Sequence, residues 1–355
     1  MDDVQNCPGG SEVNGKMREK VEKIKEQEYE ADLPFISALL VTKNEQEYVE
    51  LALKSLIDQT YPKNKYEIII VDGNSTDDTL KIVTQIKRQY QTEVFSITVL
   101  NNPKQILASG WNIGIKASRG DYVVRIDAHA RADADFLMMS MKTMLKTNAS
   151  CVGGKLITKT LSGNNDTISK ILSSPFGVGN SSFRVSDTAG YADTAVYGLY
   201  KKKVFEEVGY FNEKYIRNQD LEMHSRIKKT GGKFYFNPQI KCTYYARNTM
   251  RKMAKQAFQN GMWNMVLLKE DGMGLSIRHL VPFAFVNFLI VTGLGGIYKK
   301  PLRVMGIFAA LLHLMCGFIF GIRIGAKGNE KMEMPFLFLL LHVSYGAGYF
   351  SGLLK

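Results

Sequence analysis

Three runs near the C-terminal end carry no Asp, Glu, Lys or Arg: Leu280 to Tyr298, Val304 to Ile322 and Met334 to Leu354. Each is long enough, as a helix rising about 1.5 Å per residue, to cross a hydrocarbon core about 30 Å thick. Lipid offers the backbone no water, so an N–H or C=O there must be satisfied within a helix or a closed barrel. These runs are therefore expected to be membrane helices, and their glycines and prolines are tolerable in that setting. The rival reading encloses all three in a soluble core. Lys299, Lys300 and Arg303 follow the first run, and Arg323, Lys327 and Lys331 follow the second. Both connections are basic, so charge bias does not orient the spans. A re-entrant or interfacial first segment would remove that conflict. The N-terminus has no apolar h-region, so no signal peptide is expected and the chain ahead of the spans is expected in the cytosol.

Ahead of the spans, strand-like and helix-like segments alternate. Apolar strands are expected at Phe35 to Val41, Tyr66 to Val71, near Phe95 to Leu100, and from Tyr122 to Ile126. Between them lie helices from about Gln46 to Ile57, Thr76 to Tyr90 (with Ser75 and Asp78 as a capping box) and Gln105 to Ala117. Such alternation points to an α/β protein with a parallel sheet. Ligands of open α/β sheets sit at the carboxyl ends of the strands. Thr42, Glu45, Asp72, Asp127 and His129 all fall at such ends.

Asp127 and His129 are two apart in extended chain, so both side chains leave the same side of the backbone. A carboxylate and an imidazole aimed at one point suit a divalent cation, which in turn holds a diphosphate. A turn with an Asp cap and an unrelated His is the alternative. No GxGxxG follows the first strand and no GxxxxGK[ST] occurs, so dinucleotide and P-loop sites are not expected. The formal charge of +12 suits an anionic partner. No basic stripe interleaved with aromatics appears, so nucleic acid is the weakest choice. Cys7, Cys151, Cys242 and Cys316 are isolated and read as reduced thiols.

Further along, strands are expected at Cys151 to Thr158, Thr194 to Tyr200 and, as one or two, Lys233 to Tyr245. Helices are expected from about Asp133 to Lys146, Lys202 to Val208, Asn218 to Lys229 and Asn248 to Lys269. The last mixes basic and apolar residues, so it suits an anionic membrane surface or the side of the domain. Leu161 to Gly190, rich in Ser, Gly and Asn and holding Ser174-Pro175-Phe176-Gly177-Val178-Gly179-Asn180, reads as a mobile flap or a surface loop. The Lys/Glu-rich run from Glu12 to Glu30 reads as a solvated helix or disordered arm.

Four pieces in order resemble a family-2 glycosyltransferase with the GT-A fold: Val41-Thr42-Lys43-Asn44-Glu45, Ile69 to Asp77, Asp127-Ala128-His129 and Asn218-Gln219-Asp220-Leu221-Glu222. Within the family the chain is most similar to the succinoglycan-type exopolysaccharide branch. The resemblance covers about Pro34 to Trp263. It implies a GT-A domain, a Rossmann-like mixed sheet binding a nucleotide-sugar, followed by C-terminal transmembrane helices. It implies a UDP-sugar donor, with Asp72 at the uracil edge and Thr42 and Glu45 at the uridine; an Asp-Gly turn and helix caps remain open for these three. Asp127 and His129 stand where the family holds its metal, here Mn²⁺ or Mg²⁺, with His in place of a second Asp. Asp220 stands where the family has its catalytic base, and Glu222 is expected to position it or the acceptor. Gly110 and Asn112 belong to Ser109–Gly114, which matches the segment ahead of the metal strand and is expected at the substrate. Gln259 and Trp263 keep two positions of the processive synthases' QxxRW but Met262 replaces its Arg, implying single-sugar addition. Both are expected to line an acceptor channel, with core packing open for Trp263.

The expected organisation is an arm over 1–33, a GT-A domain over 34–246, an interfacial helix over 247–276 and membrane helices over 277–355, separable near Ser276. The leading reading is an inverting hexosyltransferase at the cytosolic face of the cell membrane. It would extend a lipid-linked sugar, a polyprenyl-diphosphate-linked saccharide, within a polysaccharide assembly complex. A polyprenyl-phosphate glycosyltransferase and a catalytically silent nucleotide-sugar-binding scaffold are the alternatives.

Overall fold

The computed structural model describes residues 32–160, 166–246, 249–272 and 275–355. The expected arm from Glu12 to Glu30, Cys7 and the start of the expected flap lie outside the described residues. In chain order the elements begin β1 (Ile36–Thr42), α1 (Val49–Ile57), β2 (Tyr66–Asp72), α2 (Thr79–Tyr90), β3 (Ile97–Asn101), α3 (Leu107–Ala117) and β4 (Tyr122–Asp127). There follow β5 (Ala130–Ala132), α4 (Phe136–Thr147), β6 (Cys151–Lys159), α5 (Asp166–Leu172), α6 (Pro175–Val178), α7 (Ser182–Val185) and β7 (Gly190–Ala192). Then come β8 (Leu199–Lys201), α8 (Lys203–Val208), α9 (Gln219–Lys229), β9 (Phe234–Tyr245) and α10 (Met250–Asp271). The chain ends in α11 (Ile277–Tyr298), α12 (Lys300–Arg323) and α13 (Glu330–Leu353).

The described strands form one sheet in the order β3-β2-β1-β4-β8-β6-β9-β5, with β7 paired to β9. Its first four strands are parallel, as the alternation implied. They read as mostly apolar runs because both sheet faces are covered. Ile36, Ala38 and Leu40 of β1 share a core with Ala52, Leu53 and Leu56 of α1. Leu39 and Val41 point the other way and join Ala108, Trp111 and Ile115 of α3. Register sets Thr42 opposite Asp72 and Val41 opposite Asp127, so three neighbouring strands end on one rim.

The second half is mixed. β8 runs antiparallel to β4 and β6, β6 is parallel to β9, and β5 and β7 are antiparallel to β9. The expected strand over Thr194 to Tyr200 is shorter: Tyr197 takes φ 46°, a left-handed conformation that breaks extension, and pairing starts at Leu199. Lys233 to Tyr245 forms the single strand β9, with a register shift against β6 between Gly154 and Lys155. The described part of the expected flap is not an open loop. Ile168 and Ile171 are fully buried, and Phe176 stacks on Phe320 (5.2 Å) and meets Phe338 edge-on (5.0 Å). Few apolar residues occur there, and Ile168, Ile171, Leu172 and Phe176 are used in a cluster with the C-terminal helices.

Helices α11, α12 and α13 are long and apolar enough to cross a membrane. Leu294, Ile297, Phe308 and Leu311 on them are 60–73% exposed, an apolar surface that water does not support. α10 does not lie apart as an interfacial helix: it packs along α13. A Cβ at Gly261 would overlap the Tyr345 carbonyl, and one at Gly348 would overlap that of Phe258. The backbones touch there, as small residues permit between membrane helices. A cut near Ser276, the expected point of separation, would part α10 from α13, on which it packs. We expect Gly348→Val to lower stability by about 1–3 kcal/mol, read as the thermal midpoint of the full chain in detergent. An unchanged midpoint would place the two helices farther apart than described here.

Candidate active site

The loops that leave β1 and β2 are knitted to each other. Asn44 N donates to Ser75 Oγ (2.9 Å), Thr76 N to Asn44 Oδ1 (2.8 Å) and Glu45 N to Thr79 Oγ1 (2.8 Å). Asp72, 3% exposed, accepts from Ser75 N at Oδ2 (2.9 Å) and from Ser75 Oγ at Oδ1 (2.6 Å). Ser75 therefore serves the turn, and the expected Ser75–Asp78 capping box does not form; α2 starts at Thr79, with no side-chain cap from Asp78. Thr42 Oγ1 is buried with no hydrogen-bond partner among the described residues. Such an orphan at a strand end calls for an explanation.

Asp127 closes β4, half-buried, with Oδ2 accepting from the Tyr197 hydroxyl (3.3 Å). Burial and the Asp127 carboxylate hold that hydroxyl well above the usual phenol range, so it remains a donor. His129 Nδ1 is 3.3 Å from Glu45 Oε1, and its ring meets Tyr244 edge-on at 5.2 Å. Glu45, expected at the uridine, thus stands at this corner. Among the described residues no three His, Cys, Asp or Glu converge to hold an ion by themselves. The donor set of one carboxylate and one imidazole fits a divalent ion that takes its remaining oxygens from a ligand.

Gly110 and Asn112 face inward. A Cβ at Gly110 would come within 2.6 Å of Val41 Cγ1, so the glycine lets α3 lie on β1. Asn112 accepts from Phe211 N (2.9 Å) and donates to Phe211 O (2.9 Å) and Glu213 Oε1 (3.1 Å). Both were expected at the substrate, and their contacts here are with the scaffold.

Asp220 opens α9, and its Oδ1 accepts from Leu221 N (3.0 Å). Glu222 turns away from it. It is 3% exposed and paired to Arg226 (2.6 and 2.8 Å), whose other donors hold the carbonyls of Val208, Gly209 and Tyr210. It was expected to position Asp220 or the acceptor, and its contacts here brace the turn before α9 through Arg226. Asn218, at φ 57°, donates through Nδ2 to Asn260 O (3.1 Å) and Asn264 Oδ1 (2.6 Å). Asn264 in turn donates to the Tyr345 hydroxyl on α13 (2.5 Å).

Asp220 lines a cavity of about 540 Å³ whose walls include Tyr244, α6, α10 and the three C-terminal helices. α10 contributes Gln256, Asn260 and Asn264, an i+4 row, whereas Gln259 and Trp263 are not among the lining residues. Trp263 is 8% exposed, in a cluster with Tyr215 and Leu267 and beneath Lys355 Nζ (4.6 Å). Its core-packing alternative describes it. Sequence reasoning missed Tyr197, Tyr244, Asn264, Arg184 and Arg278 at or near these groups. Only Asn264, in the row that repeats every four residues from Gln256, had a readable signal.

Residues 37–209 match the sequence profile of glycosyl transferase family 2. The chain is 31% identical over 331 residues to the dolichyl N-acetyl-alpha-D-glucosaminyl phosphate 3-beta-D-2,3-diacetamido-2,3-dideoxy-beta-D-glucuronosyltransferase of Methanococcus voltae, covering 90% of this chain and 98% of that protein. It is 25% identical over 328 residues to the succinoglycan biosynthesis protein ExoA of Rhizobium meliloti (strain 1021), covering 91% and 97%. Among solved structures, the mannosyltransferase PcManGT from Pyrobaculum calidifontis in complex with GDP-Man and Mn²⁺ matches with a TM-score of 0.61 at 16% identity, over 89% of this chain and 88% of that one. At that identity the likeness speaks for the fold, which is GT-A.

His224 lies one turn beyond Asp220, 1% exposed, with Thr194 Oγ1 2.7 Å from Nδ1 and the Tyr200 hydroxyl 2.6 Å from Nε2. Burial, then Arg125 and Lys228, hold it well below the ordinary histidine range. The folded state keeps it neutral while the unfolded chain takes a proton below about pH 6.5. Its contribution is therefore fully present above that pH and falls as pH drops below it. We expect His224→Gln to flatten the acid limb of the stability curve by at most about 1.4 kcal/mol per pH unit. Parallel limbs for the two proteins would mean that the imidazole is charged when folded.

Proposed function

Because the chain belongs to glycosyl transferase family 2, we propose that it is an inverting membrane transferase that moves one sugar from a UDP-sugar to a saccharide carried on an isoprenoid phosphate or diphosphate. The observation that carries this reading is the shared cavity: Asp220 and the membrane-length helices line one space. A sugar hydroxyl can reach Asp220 there while its lipid stays among apolar walls. The named activity of the Methanococcus voltae relative, on a dolichyl-linked sugar phosphate, supports such an acceptor.

On the donor side, Asp72 and the unpartnered Thr42 hydroxyl would meet the nucleoside. Asp127 and His129 would hold a divalent ion, with Glu45 orienting the imidazole as carboxylates do behind metal-bound histidines. When bound, that ion supplies positive charge at the departing diphosphate. Asp220 would take the proton from the acceptor hydroxyl as its oxygen bonds to the anomeric carbon and the bond to UDP breaks. A single displacement of this kind inverts the anomeric centre. Asp220 also weighs against the alternative in which the lipid phosphate itself is glycosylated. A phosphate ester is already anionic at neutral pH and needs no general base. The catalytic face would be cytosolic and the anchor multi-pass, within polysaccharide assembly.

Two outcomes test the assignment. Asp220→Asn keeps the shape and the acceptor for Leu221 N, and should lower transfer at least about a hundredfold while UDP binding stays near wild type. Transfer at wild-type rate would move the base elsewhere. Asp127→Ala should abolish the dependence of UDP binding on Mn²⁺, measured by calorimetry with and without EDTA. UDP binding that ignores EDTA in the wild type would remove the metal corner. A panel of UDP- and GDP-sugars in the same assay decides the donor, and hydrolysis or transfer of any of them excludes a silent scaffold.

A further inference from the structure

The cavity beside Asp220 contains two guanidinium groups that the transfer chemistry does not use. Arg184 Nη1 donates to Thr158 Oγ1 (2.8 Å) and Leu172 O (3.1 Å). Arg278, at the start of α11, reaches Asn180 O (3.4 Å) and His279 Nε2 (3.5 Å). All of these partners are neutral or carbonyl groups. Among the described residues neither arginine forms an ion pair with a carboxylate. Asp193 lies near enough to Arg278 to act on it through space, without a contact. Among the described residues Asp220 is the only carboxylate lining the cavity, and its proposed work is with a proton.

Half-buried cations without anions are costly unless something neutralises them. The same cavity has walls from Phe176, Val281, Phe285 and Leu341, which suit hydrocarbon. Two arginines next to a hydrocarbon-lined space match one chemistry: a phosphate ester on an apolar chain. Guanidinium groups bind phosphate oxygens with paired, charge-assisted hydrogen bonds. The α6–α7 segment carries Arg184, meets Arg278 at Asn180 O, and is itself fastened to the C-terminal helices through Phe176. A phosphate held there would sit between its lipid and a sugar directed at Asp220.

We propose that Arg184 and Arg278 form the binding site for the phosphate or diphosphate of the lipid-linked acceptor. This rests on the acceptor reading above. The site fixes how far the sugar hydroxyl stands from the membrane, and so which hydroxyl meets Asp220. An acceptor lacking phosphate would bind poorly whatever its sugar.

The test uses the full chain in neutral detergent and needs no knowledge of the sugar. Binding of farnesyl diphosphate, farnesyl phosphate, farnesol and inorganic pyrophosphate is measured by calorimetry. Farnesyl diphosphate or farnesyl phosphate should bind at least about tenfold more tightly than farnesol or pyrophosphate. Arg278→Gln should erase that advantage and Arg278→Lys should restore part of it. Arg184→Gln should act likewise, and a thermal midpoint near wild type shows whether its bonds to Thr158 and Leu172 matter to the fold. UDP with Mn²⁺ is titrated into the same samples, so that failure of the donor reading is seen separately from failure of this one. Undiminished farnesyl diphosphate binding by a folded Arg278→Gln protein overturns the proposal. So does equal displacement by phosphatidylglycerol, which would make the pair a general contact for anionic head groups.

Discussion

Helix α10 meets two obligations at once. One face presses backbone to backbone against α13, at Gly261 and Gly348. From the same helix, Asn260 and Asn264 hold Asn218, the residue in left-handed conformation just ahead of Asp220. Asn264 closes the chain by donating to Tyr345 of α13. The position of Asp220 is thus referenced to a membrane-length helix through three hydrogen bonds and a close helix contact. A left-handed non-glycine residue costs of order 1 kcal/mol or more and persists only where its surroundings over-determine it. Here the amide of Asn218 supplies that determination.

The donor side is held by a different device. Three parallel strands end in register, and the loops that follow β1 and β2 satisfy one another's backbone groups. Donors and acceptors that a loop would leave to water are thereby paired, which stiffens the rim. The exception is the Thr42 hydroxyl, buried and unpartnered at the point where a ligand would lie. The two sides meet at Tyr244, whose ring touches His129 and lines the cavity beside Asp220.

The parallel half of the sheet was legible because its strands are buried on both faces and each is followed by a helix nearby in sequence. The antiparallel half was not. β5 and β7 are three residues each and exist only through pairing with β9, far along the chain. No local pattern can announce such a pairing. The rim residues Thr42, Asp72, Asp127 and His129 were readable as strand ends. Gly110, Asn112 and Glu222 also lie in or beside matching motifs, yet their contacts are with Val41, Phe211 and Arg226. A motif records which residues are needed without recording whether they touch a ligand or hold the residue that does. Trp263 and Gln259 lie beside the i+4 row of Gln256, Asn260 and Asn264 that lines the cavity, a difference of helix face that a motif does not record.

The composition of Leu161 to Gly190 suggests a mobile flap or a surface loop, and the packing of its described part shows why that part is ordered. A polar stretch on a soluble protein has only water to face. This one faces a hydrocarbon-like surface already provided by α12 and α13, so Ile168, Ile171 and Phe176 suffice to fix it. Lys170 and Glu330 add an ion pair (2.9 Å) at its edge. The segment therefore gains order from the C-terminal apolar helices, not from its own sequence pattern. It is also the segment that carries Arg184 and touches Arg278. A wall that takes its position from α12 and α13, carrying cations toward a cavity that ends at Asp220, would under the proposed function couple the depth of a bound lipid to the place where its sugar could react.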